Sequence, residues 1–355
     1  MTKLALMQPS RVRHWEPAFL QRVKAELSLA QSTTQSGSSF QVVDDVNEAD
    51  TILYLDSNYD KNVSDIAGYR KLLQWSVERH KTIFSLSFED RPLTALPGIY
   101  TSATPQSFDP SLHFSWPHLE PPNDQVENAA LVDTALKQTE QAKYLFSFAG
   151  SCSHPIRRKL FAFGKAINQP GVCNVYEVDR WFDHTEQEHQ QYVDDILDCR
   201  FVLCPRGIAA YSHRILESIL LNRVPVIIAD AWVPFSFTTD KYYVQVPEKD
   251  LDNIHDILQQ ELKNYDMYCA NLVKLKATWL TRGRRYQILV EQFLKFRSLN
   301  QSEHHPKVLL ERLASETFLE GNGLLPHQQL LQTVTHLPGR GKQILRKIIT
   351  SFSSR

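Results

Sequence analysis

The sequence predicts an α/β protein with parallel sheets, because short apolar runs typical of buried strands alternate with amphipathic helical patterns. Eight runs have the length and composition of buried strands: Leu4–Met7, Ile52–Leu55, Thr82–Leu86, Tyr144–Ala149, Asn174–Val178, Phe201–Cys204, Val224–Ala229 and Tyr243–Val246. Six segments repeat apolar residues every three or four positions: Pro17–Ala30, Ala67–His80, Pro155–Ile167, Gln190–Leu197, Ser212–Leu221 and Ile254–Leu262. Strands joined by helices pair in parallel, which places the chain in the α/β class.

The length predicts two domains, since 355 residues at about 150 residues per domain leave room for two hydrophobic cores. The segment Pro97–Asp124 contains six prolines and no sustained period, which indicates an irregular loop followed by a linker. A helical pattern over Glu127–Thr139 would lead into the second domain. We therefore expect domains over residues 1–130 and 131–300, with a helical extension over 301–355.

Composition and charge exclude two classes of protein. Hydrophobic residues make up 42% of the chain and charged residues 22%, which is ordinary globular usage and excludes a mainly disordered protein. The 39 basic and 40 acidic residues leave a net charge of −1, so no global basic field exists to bind nucleic acid. We expect no nucleic-acid partner.

The cysteines and the N-terminus predict a cytoplasmic protein. The five cysteines are odd in number and form no C-x-x-C pair, as expected for reduced thiols. The segment Met1–Pro9 is too short and soon too polar for a signal peptide. No apolar stretch approaches the roughly 18 residues of a membrane span, so any membrane contact would be peripheral.

The C-terminal segment offers such a contact. From Pro338 onward the chain carries five basic residues and no acid, and Gly341–Phe352 places five apolar residues on one helical stripe: Ile344, Leu345, Ile348, Ile349 and Phe352. Residues 339–355 would then lie on an anionic membrane surface, near a lipid-linked acceptor. The alternative, which we favour, is that the stripe packs on the protein itself.

The densest functional signal lies between Phe201 and Phe235. A strand leads into a Pro-Arg-Gly turn at Arg206, and a helix begins near Ser212, so the loop lies at the carboxyl end of a strand, where open α/β sheets bind ligands. The helix start, with Arg206 and Arg214, favours a phosphate or diphosphate. Glu217, three residues after Arg214, would accept hydrogen bonds from ribose hydroxyls. Both residues are expected at an exposed helix start; the alternative is an ordinary surface ion pair beside an ordinary turn.

Four pieces of this segment, in this order, resemble the exostosin-like glycosyltransferases. They are Cys204-Pro-Arg-Gly207, Ser212-His-Arg-Ile-Leu-Glu217, Val224-Pro-Val226 and Trp232-Val-Pro-Phe235. The resemblance implies a GT-B-like fold, with two Rossmann-like domains whose parallel sheets face a cleft. It also implies a nucleotide-sugar donor on the second domain, bound at Arg206, Gly207, Ser212, Arg214 and Glu217, and an acceptor mainly on the first.

A second segment supports the resemblance. The strand Tyr144–Ala149 ends at Gly150, and Pro155 suits the first turn of a helix that carries Arg157 and Arg158. In the family a similar strand, glycine and arginine-bearing helix implies contact with the diphosphate. The alternative is an ordinary turn between strand and helix with two solvated arginines.

The family generally inverts the anomeric carbon, which implies a general base near the acceptor and positive groups at the leaving diphosphate. Glu89 and Asp90 follow a strand and would lie at its carboxyl end, and His154 is a further candidate base. Each of these three is otherwise an ordinary solvated loop residue. We expect no metal and no cofactor beyond the nucleotide-sugar donor, because the D-x-D triplet at Asp250 precedes a helix, where acidic residues are favoured structurally.

Three functions remain open on this basis. The first is an inverting glycosyltransferase that moves a sugar from a nucleotide donor to a glycan or glycolipid acceptor. The second is a non-catalytic, exostosin-like scaffold or partner protein. The third, a dinucleotide oxidoreductase, ranks last because no G-x-G-x-x-G follows a predicted strand.

Overall fold

Two parallel sheets form the framework of the protein. The computed structural model describes residues 2–7, 16–33, 40–56, 63–119, 126, 142–179, 185–298 and 306–325. Within these ranges the first sheet has the strand order β2-β1-β3-β4-β5-β6. Its strands are β1 (Thr2–Met7), β2 (Phe40–Val42), β3 (Thr51–Asp56), β4 (Thr82–Ser87), β5 (Gly98–Tyr100) and β6 (His113–Ser115).

The second sheet has the order β11-β10-β9-β7-β8, and all of its pairings are parallel. Its strands are β7 (Tyr144–Gly150), β8 (Cys173–Glu177), β9 (Cys199–Pro205), β10 (Val224–Ile228) and β11 (Val244–Gln245). Both central strands, β7 and β9, are apolar and almost wholly buried, as expected of strands covered by helices on both faces.

Helices connect the strands and cover the sheets. They are α1 (Glu16–Thr33), α2 (Val63–Arg79), α3 (Pro155–Ile167), α4 (Glu186–Leu197), α5 (His213–Leu220), α6 (Ile254–Glu261), α7 (Tyr265–Leu275), α8 (Arg282–Ser298), α9 (Pro306–Arg312) and α10 (Glu316–Gly321). A 3-10 turn, Glu248–Asn253, precedes α6, and a π-helical turn, Lys276–Leu280, follows α7.

The predicted α/β architecture, GT-B-like in its two Rossmann-like parallel sheets, is confirmed. All eight predicted strands lie in these sheets, and the six predicted helical segments overlap α1 to α6. These elements were predictable because each one is long enough to show its hydrophobic pattern.

The segment predicted as an irregular loop and linker, Pro97–Asp124, is corrected by the structure. It contains two strands, β5 and β6, that extend the first sheet. Each has only three residues, too few for a recognisable period. Gly98 is required in β5, since a Cβ at this position would collide with the backbone of Ser85 in β4. The predicted helix over Glu127–Thr139 lies outside the described residues.

The edge strand β6 joins the first sheet to the second half of the chain. The amide of Ser115 donates to the hydroxyl of Ser236 at 2.8 Å, and the amide of Ser236 donates to the carbonyl of Ser115 at 3.0 Å. The Trp116 ring packs edge-on against Phe237, with 4.5 Å between centroids. Backbone hydrogen bonds and buried rings together hold the two sheets at a defined position.

The last described helices return to the first sheet. Leu309, Leu313 and Phe318 pack into its apolar cluster against α2. The buried amide oxygen of Asn322 accepts hydrogen bonds from the backbone and the hydroxyl of Thr94, at 3.1 and 3.2 Å. The described part of the predicted extension over 301–355 is thus helical and packed, whereas residues 339–355 lie outside the described residues. The predicted domain boundaries stay predictions.

One buried histidine lies where this C-terminal segment meets the first sheet. His113 is 2% exposed, and its Nδ1 accepts a hydrogen bond from the Asp109 amide at 2.9 Å. Burial, and after it the nearby Arg312 guanidinium, lowers the pKa of His113 to about 3, although Asp109 acts in the opposite direction. The folded protein therefore keeps His113 neutral.

We expect this histidine to make stability depend on pH. An unfolded chain protonates histidine near pH 6.5, so between about pH 6.5 and pH 3 the unfolded state binds more protons, and the free energy of unfolding falls as the pH is lowered. Urea unfolding at pH 7, 6, 5 and 4 measures this slope. In the His113→Gln variant, the slope of the free energy of unfolding against pH should be smaller by about 1.4 kcal/mol per pH unit, the value for one proton.

His255→Gln is the control, since His255 lies at the surface of α6 beside Asp256. An unchanged slope in His113→Gln, or an equal reduction in both variants, would show that His113 is not the group responsible.

Candidate functional site

The predicted donor residues come together at the carboxyl ends of β7 and β9. These two strands are neighbours in the second sheet, so the loop after Gly150 and the loop after Pro205 lie side by side. Helix α3 begins from the first loop and α5 from the second. This is the edge at which open parallel sheets bind ligands.

Arg157, on α3, connects these two loops. Its Nε donates to the carbonyl of Arg206 at 3.1 Å, its Nη2 to the carbonyl of Pro205 at 3.2 Å, and its Nη1 to the carbonyl of Ser151 at 3.2 Å. Burial, and then the charge of Arg214, lowers the pKa of Arg157 to about 10. Each guanidinium nitrogen thus binds backbone, so Arg157 shapes the site as well as adding charge to it.

Gly207 allows this close approach. A Cβ at Gly207 would lie 3.3 Å from Arg157 Nη2 and 3.2 Å from Ser153 Oγ, which is tighter than a normal contact. The Pro-Arg-Gly turn therefore ends in glycine because the guanidinium occupies the space of a side chain.

Arg214, on α5, is buried beneath the same edge of the sheet. Its guanidinium carbon lies 4.4 Å from the centroid of the Phe148 ring and 5.1 Å from that of Tyr192. Its Nη2 donates to the Ala149 carbonyl, and its Nε donates to the Tyr192 hydroxyl at 3.1 Å. Burial alone would lower the pKa of Arg214, but Tyr192 and Glu217 outweigh it and the pKa is raised. A positive charge is thus held at the end of β7.

Glu217 is joined to Arg214 through the same tyrosine. The hydroxyl of Tyr192 donates to Glu217 Oε2 at 2.5 Å while it accepts from Arg214. Burial, opposed by Arg214 and assisted by Glu217, raises the pKa of Tyr192 well above its usual value, so the hydroxyl keeps its proton. A buried arginine, a phenol and a carboxylate form one hydrogen-bonded unit.

The expectation that Arg214 and Glu217 lie at an exposed helix start is wrong, as is the alternative of a surface ion pair. Arg214 is 8% exposed and Glu217 4%. The helix is short, and every residue of it after His213 is buried between the sheet and its neighbours.

The other predicted donor residues differ in their placement. Gly150 ends β7, where a Cβ would lie 3.5 Å from Arg214 Nη2. Ser212 is the buried N-cap residue of α5, and its side chain makes no capping hydrogen bond. Arg206 is half-buried, with its Nη1 3.9 Å from Glu248 Oε1. Arg158 is exposed on α3, away from the buried unit.

The three candidate bases lie in two places. His154 caps α3, where its Nδ1 accepts from the Ile156 amide at 3.3 Å, and burial and then Arg206 lower its pKa. Glu89 and Asp90 follow β4 at the carboxyl edge of the first sheet, with Glu89 buried and Asp90 partly exposed. His154 is therefore on the donor side and the two carboxylates are on the other.

A histidine pair that the sequence analysis missed connects the two edges. The rings of His118 and His213 lie 4.1 Å apart, and His118 lies 5.2 Å from the ring of Phe88, the residue before Glu89. His213 is the first residue of α5. The His118 ring therefore lies between the start of α5 and the end of β4. Burial, and then His213, lowers the pKa of His118 well below its usual value. Two isolated histidines 95 positions apart carry no sequence signal.

Three general features complete the description. Among the described residues, no group of three His, Cys, Asp or Glu side chains is placed to hold a metal ion, and Asp250 and Asp252 lie on the 3-10 turn before α6. All five cysteines are free thiols. None of the described helices is both long enough and apolar enough to cross a bilayer.

The burial of Arg214 predicts a structural cost. Arg214→Ala should reduce the free energy of unfolding by about 3–5 kcal/mol, because it removes the cation and leaves a buried carboxylate and carbonyl without it. Arg158→Ala, an exposed position on the neighbouring helix, should change it by less than about 0.5 kcal/mol. Urea unfolding followed by circular dichroism measures both. Equal, small losses would contradict the buried unit described above.

Comparisons with known proteins identify a family domain in this part of the chain. Residues 99–260 match the model of the Exostosin GT47 domain, from β5 to α6. The exostosin-1 homolog of Caenorhabditis elegans is 28% identical over 247 residues, 57% of this chain and 60% of that protein. The probable glucuronoxylan glucuronosyltransferase IRX7 of Arabidopsis thaliana is 39% identical over 91 residues, 25% of this chain and 20% of that protein.

Among solved structures, Anabaena Alr3699/HepE in complex with UDP is 11% identical, with a TM-score of 0.43, over 83% of this chain and 100% of that one. The matches span only one fifth and about three fifths of the two curated relatives. The matched domain contains the donor loops and α5, whereas Glu89 and Asp90 precede it. The predicted resemblance to the exostosin-like glycosyltransferases is confirmed over residues 99–260, which match the Exostosin GT47 domain.

Proposed function

We propose that this protein is a glycosyltransferase that moves a sugar from a nucleotide-sugar donor to a glycan or lipid-linked acceptor, with inversion. The observation that carries the proposal is the buried unit of Arg214, Tyr192 and Glu217 at the carboxyl edge of the second sheet. A buried charge is costly to maintain, and such charges concentrate where a ligand requires them.

The donor side is suited to a diphosphate. Arg157 and Arg206 carry positive charges at the loops after β7 and β9, and Arg214 adds a third on the first turn of α5. The N-terminus of a helix also favours an anion. Arg214 uses Nε and Nη2 within the protein, and Nη1 makes no hydrogen bond within the described ranges, so one edge of the guanidinium is available to an anion. We assign Glu217 to the ribose hydroxyls and Ser212, Gly207 and Gly150 to the loops that receive the phosphates.

The transfer would proceed by a single displacement. A base removes the proton of an acceptor hydroxyl, whose oxygen bonds to the anomeric carbon as the bond from that carbon to the diphosphate oxygen breaks. The diphosphate leaves with the electron pair, and the arginines stabilise its charge. We assign the base to Glu89, with Asp90 and His154 as alternatives, because Glu89 follows Phe88, which the His118 ring connects to the donor helix.

The names of the relatives suggest a sugar class. The Arabidopsis relative is a probable glucuronosyltransferase acting on glucuronoxylan. We propose a glucuronic acid donor and a xylan-type acceptor as the first pair to test here.

We also propose a cytoplasmic location. Peripheral membrane contact through residues 339–355 stays a proposal, supported by their positive charge and their apolar stripe.

Nucleotide binding is the first test. A thermal-shift panel of UDP, GDP, CDP, dTDP and NAD should show stabilisation by one nucleoside diphosphate, worth about 2.7 kcal/mol at 100 times its dissociation constant. Arg206→Ala should weaken this effect, since the half-buried Arg206 side chain makes a long ion pair with Glu248 and a 3.5 Å hydrogen bond to the Ile208 carbonyl, both of which a diphosphate could replace. Lys159→Ala, on the exposed face of α3, is the matched control and should not. Stabilisation by NAD alone would favour an oxidoreductase.

Turnover is the second test. The protein is incubated with xylo-oligosaccharides and with glucuronic acid linked to the nucleoside diphosphate that binds in the first test. Release of the nucleoside diphosphate is then measured. Glu89→Gln should lower turnover about 100-fold or more, with nucleotide binding preserved. Undiminished turnover would remove Glu89 as the base. Nucleotide binding without turnover on any donor and acceptor would favour the non-catalytic scaffold.

A further inference from the structure

Tyr192 connects Arg214 and Glu217, the two charged groups of the proposed donor site, although it belongs to a different helix. It lies on α4, whereas Arg214 and Glu217 lie on α5. Its hydroxyl oxygen is 3.1 Å from Arg214 Nε and 2.5 Å from Glu217 Oε2. Its ring also stacks on the Arg214 guanidinium, whose carbon is 5.1 Å from the ring centroid.

The phenol is chemically suited to this place. A phenol hydroxyl donates one hydrogen bond and accepts others, so it can satisfy a carboxylate and a guanidinium at the same time. An arginine in place of Tyr192 could not accept from Arg214, and an ionised carboxylate there could not donate to Glu217. Neither could therefore serve both partners. Since burial keeps Tyr192 protonated, the direction of both hydrogen bonds is fixed.

These contacts also determine which edge of Arg214 stays available. The hydroxyl of Tyr192 holds Nε, and the Ala149 carbonyl holds Nη2. With two of the three nitrogens fixed, the plane of the guanidinium cannot rotate, and Nη1 is held toward the remaining side. The guanidinium carbon lies 4.4 Å from the centroid of the Phe148 ring and 5.1 Å from that of the Tyr192 ring, so both rings pack against the guanidinium plane.

We propose that Tyr192 is a positioning residue of the donor site, whose hydroxyl orients Arg214 toward the diphosphate and Glu217 toward the ribose. The inference rests on the proposed function, because it assigns a role in binding a nucleotide. Tyr192 itself does not touch the ligand; it acts through the two residues that do.

The variant Tyr192→Phe isolates the hydroxyl, since the ring and its stacking on Arg214 remain. Hydrogen bonds to charged groups are strong, so loss of the bridge should raise the dissociation constant of the nucleoside diphosphate about 10- to 100-fold. With the glucuronic acid donor, the KM for the donor should rise by a similar factor while kcat changes less than about 3-fold. Isothermal titration calorimetry and initial rates measure the two effects.

Tyr176→Phe is the matched control. Tyr176 lies on β8 in the same half of the protein, and its hydroxyl donates to Asp195, another buried carboxylate. Arg214 makes no hydrogen bond to it. The same atom is therefore removed from a similar environment, and nucleotide binding should stay within about 3-fold of the unaltered protein.

A second measurement reports the positioning directly. In protein labelled with 15N at arginine, the Nε–H of Arg214 should exchange slowly with water and give a distinct resonance, identified by its absence in Arg214→Lys. In Tyr192→Phe this resonance should shift and its exchange should accelerate, whereas in Tyr176→Phe it should not change. A purely structural role would lower the unfolding temperature without moving the nucleotide affinity.

The outcomes separate the two proposals. Weaker nucleotide binding in Tyr192→Phe, with Tyr176→Phe unaffected, supports the inference. Equal binding by Tyr192→Phe and the unaltered protein overturns the inference and leaves the proposed function standing. A Tyr192→Phe variant that fails to fold would also overturn the inference, because the hydroxyl would then be needed for folding, and it too would leave the proposed function standing. Absence of nucleotide binding by the unaltered protein would remove the proposed function, and this inference with it.

Discussion

The arrangement of the second half of the protein depends on one buried positive charge. A guanidinium removed from water requires partners for its donors and its faces, or the fold loses several kcal/mol. Arg214, on α5, finds them on two other elements, the end of β7 and helix α4. These elements must therefore meet at one place, and they do so at the edge of the sheet where ligands bind.

The same constraint explains the composition of the loops around it. Arg157 holds the loops after β7 and β9 together through backbone carbonyls, and Gly207 leaves the space that its guanidinium needs. Burial, and after it the charge of Arg214, lowers the pKa of Arg157, as expected for two guanidinium groups that repel each other. A diphosphate bound at this edge, as we propose, would offset this repulsion.

The first sheet contributes by being held against this site at a fixed position. Strand β6 and the residues after it contact the second half through Ser236, Phe237 and His213. The helices α9 and α10 then return from the second half to pack on the first sheet, through Asn322 and the apolar residues around it. Connections at both places bring Phe88, at the carboxyl end of β4, to the His118 ring, which in turn contacts His213 on α5.

The amino-acid sequence alone predicted the class of the fold and the loops after β7 and β9, which we propose bind the donor. Buried parallel strands are continuous apolar runs, and α3 and α5 follow strands after turns containing glycine, so local pattern was sufficient. The spacing of Arg214 and Glu217 was also local, and it identified the helix that carries them. Three features depend on the tertiary structure: both residues are buried, β5 and β6 continue the first sheet, and Tyr192 and His118 contact Arg214 and His213. Each of these depends on contacts between residues distant in the chain, and a side chain that is defined by its partners leaves no period or spacing in the sequence.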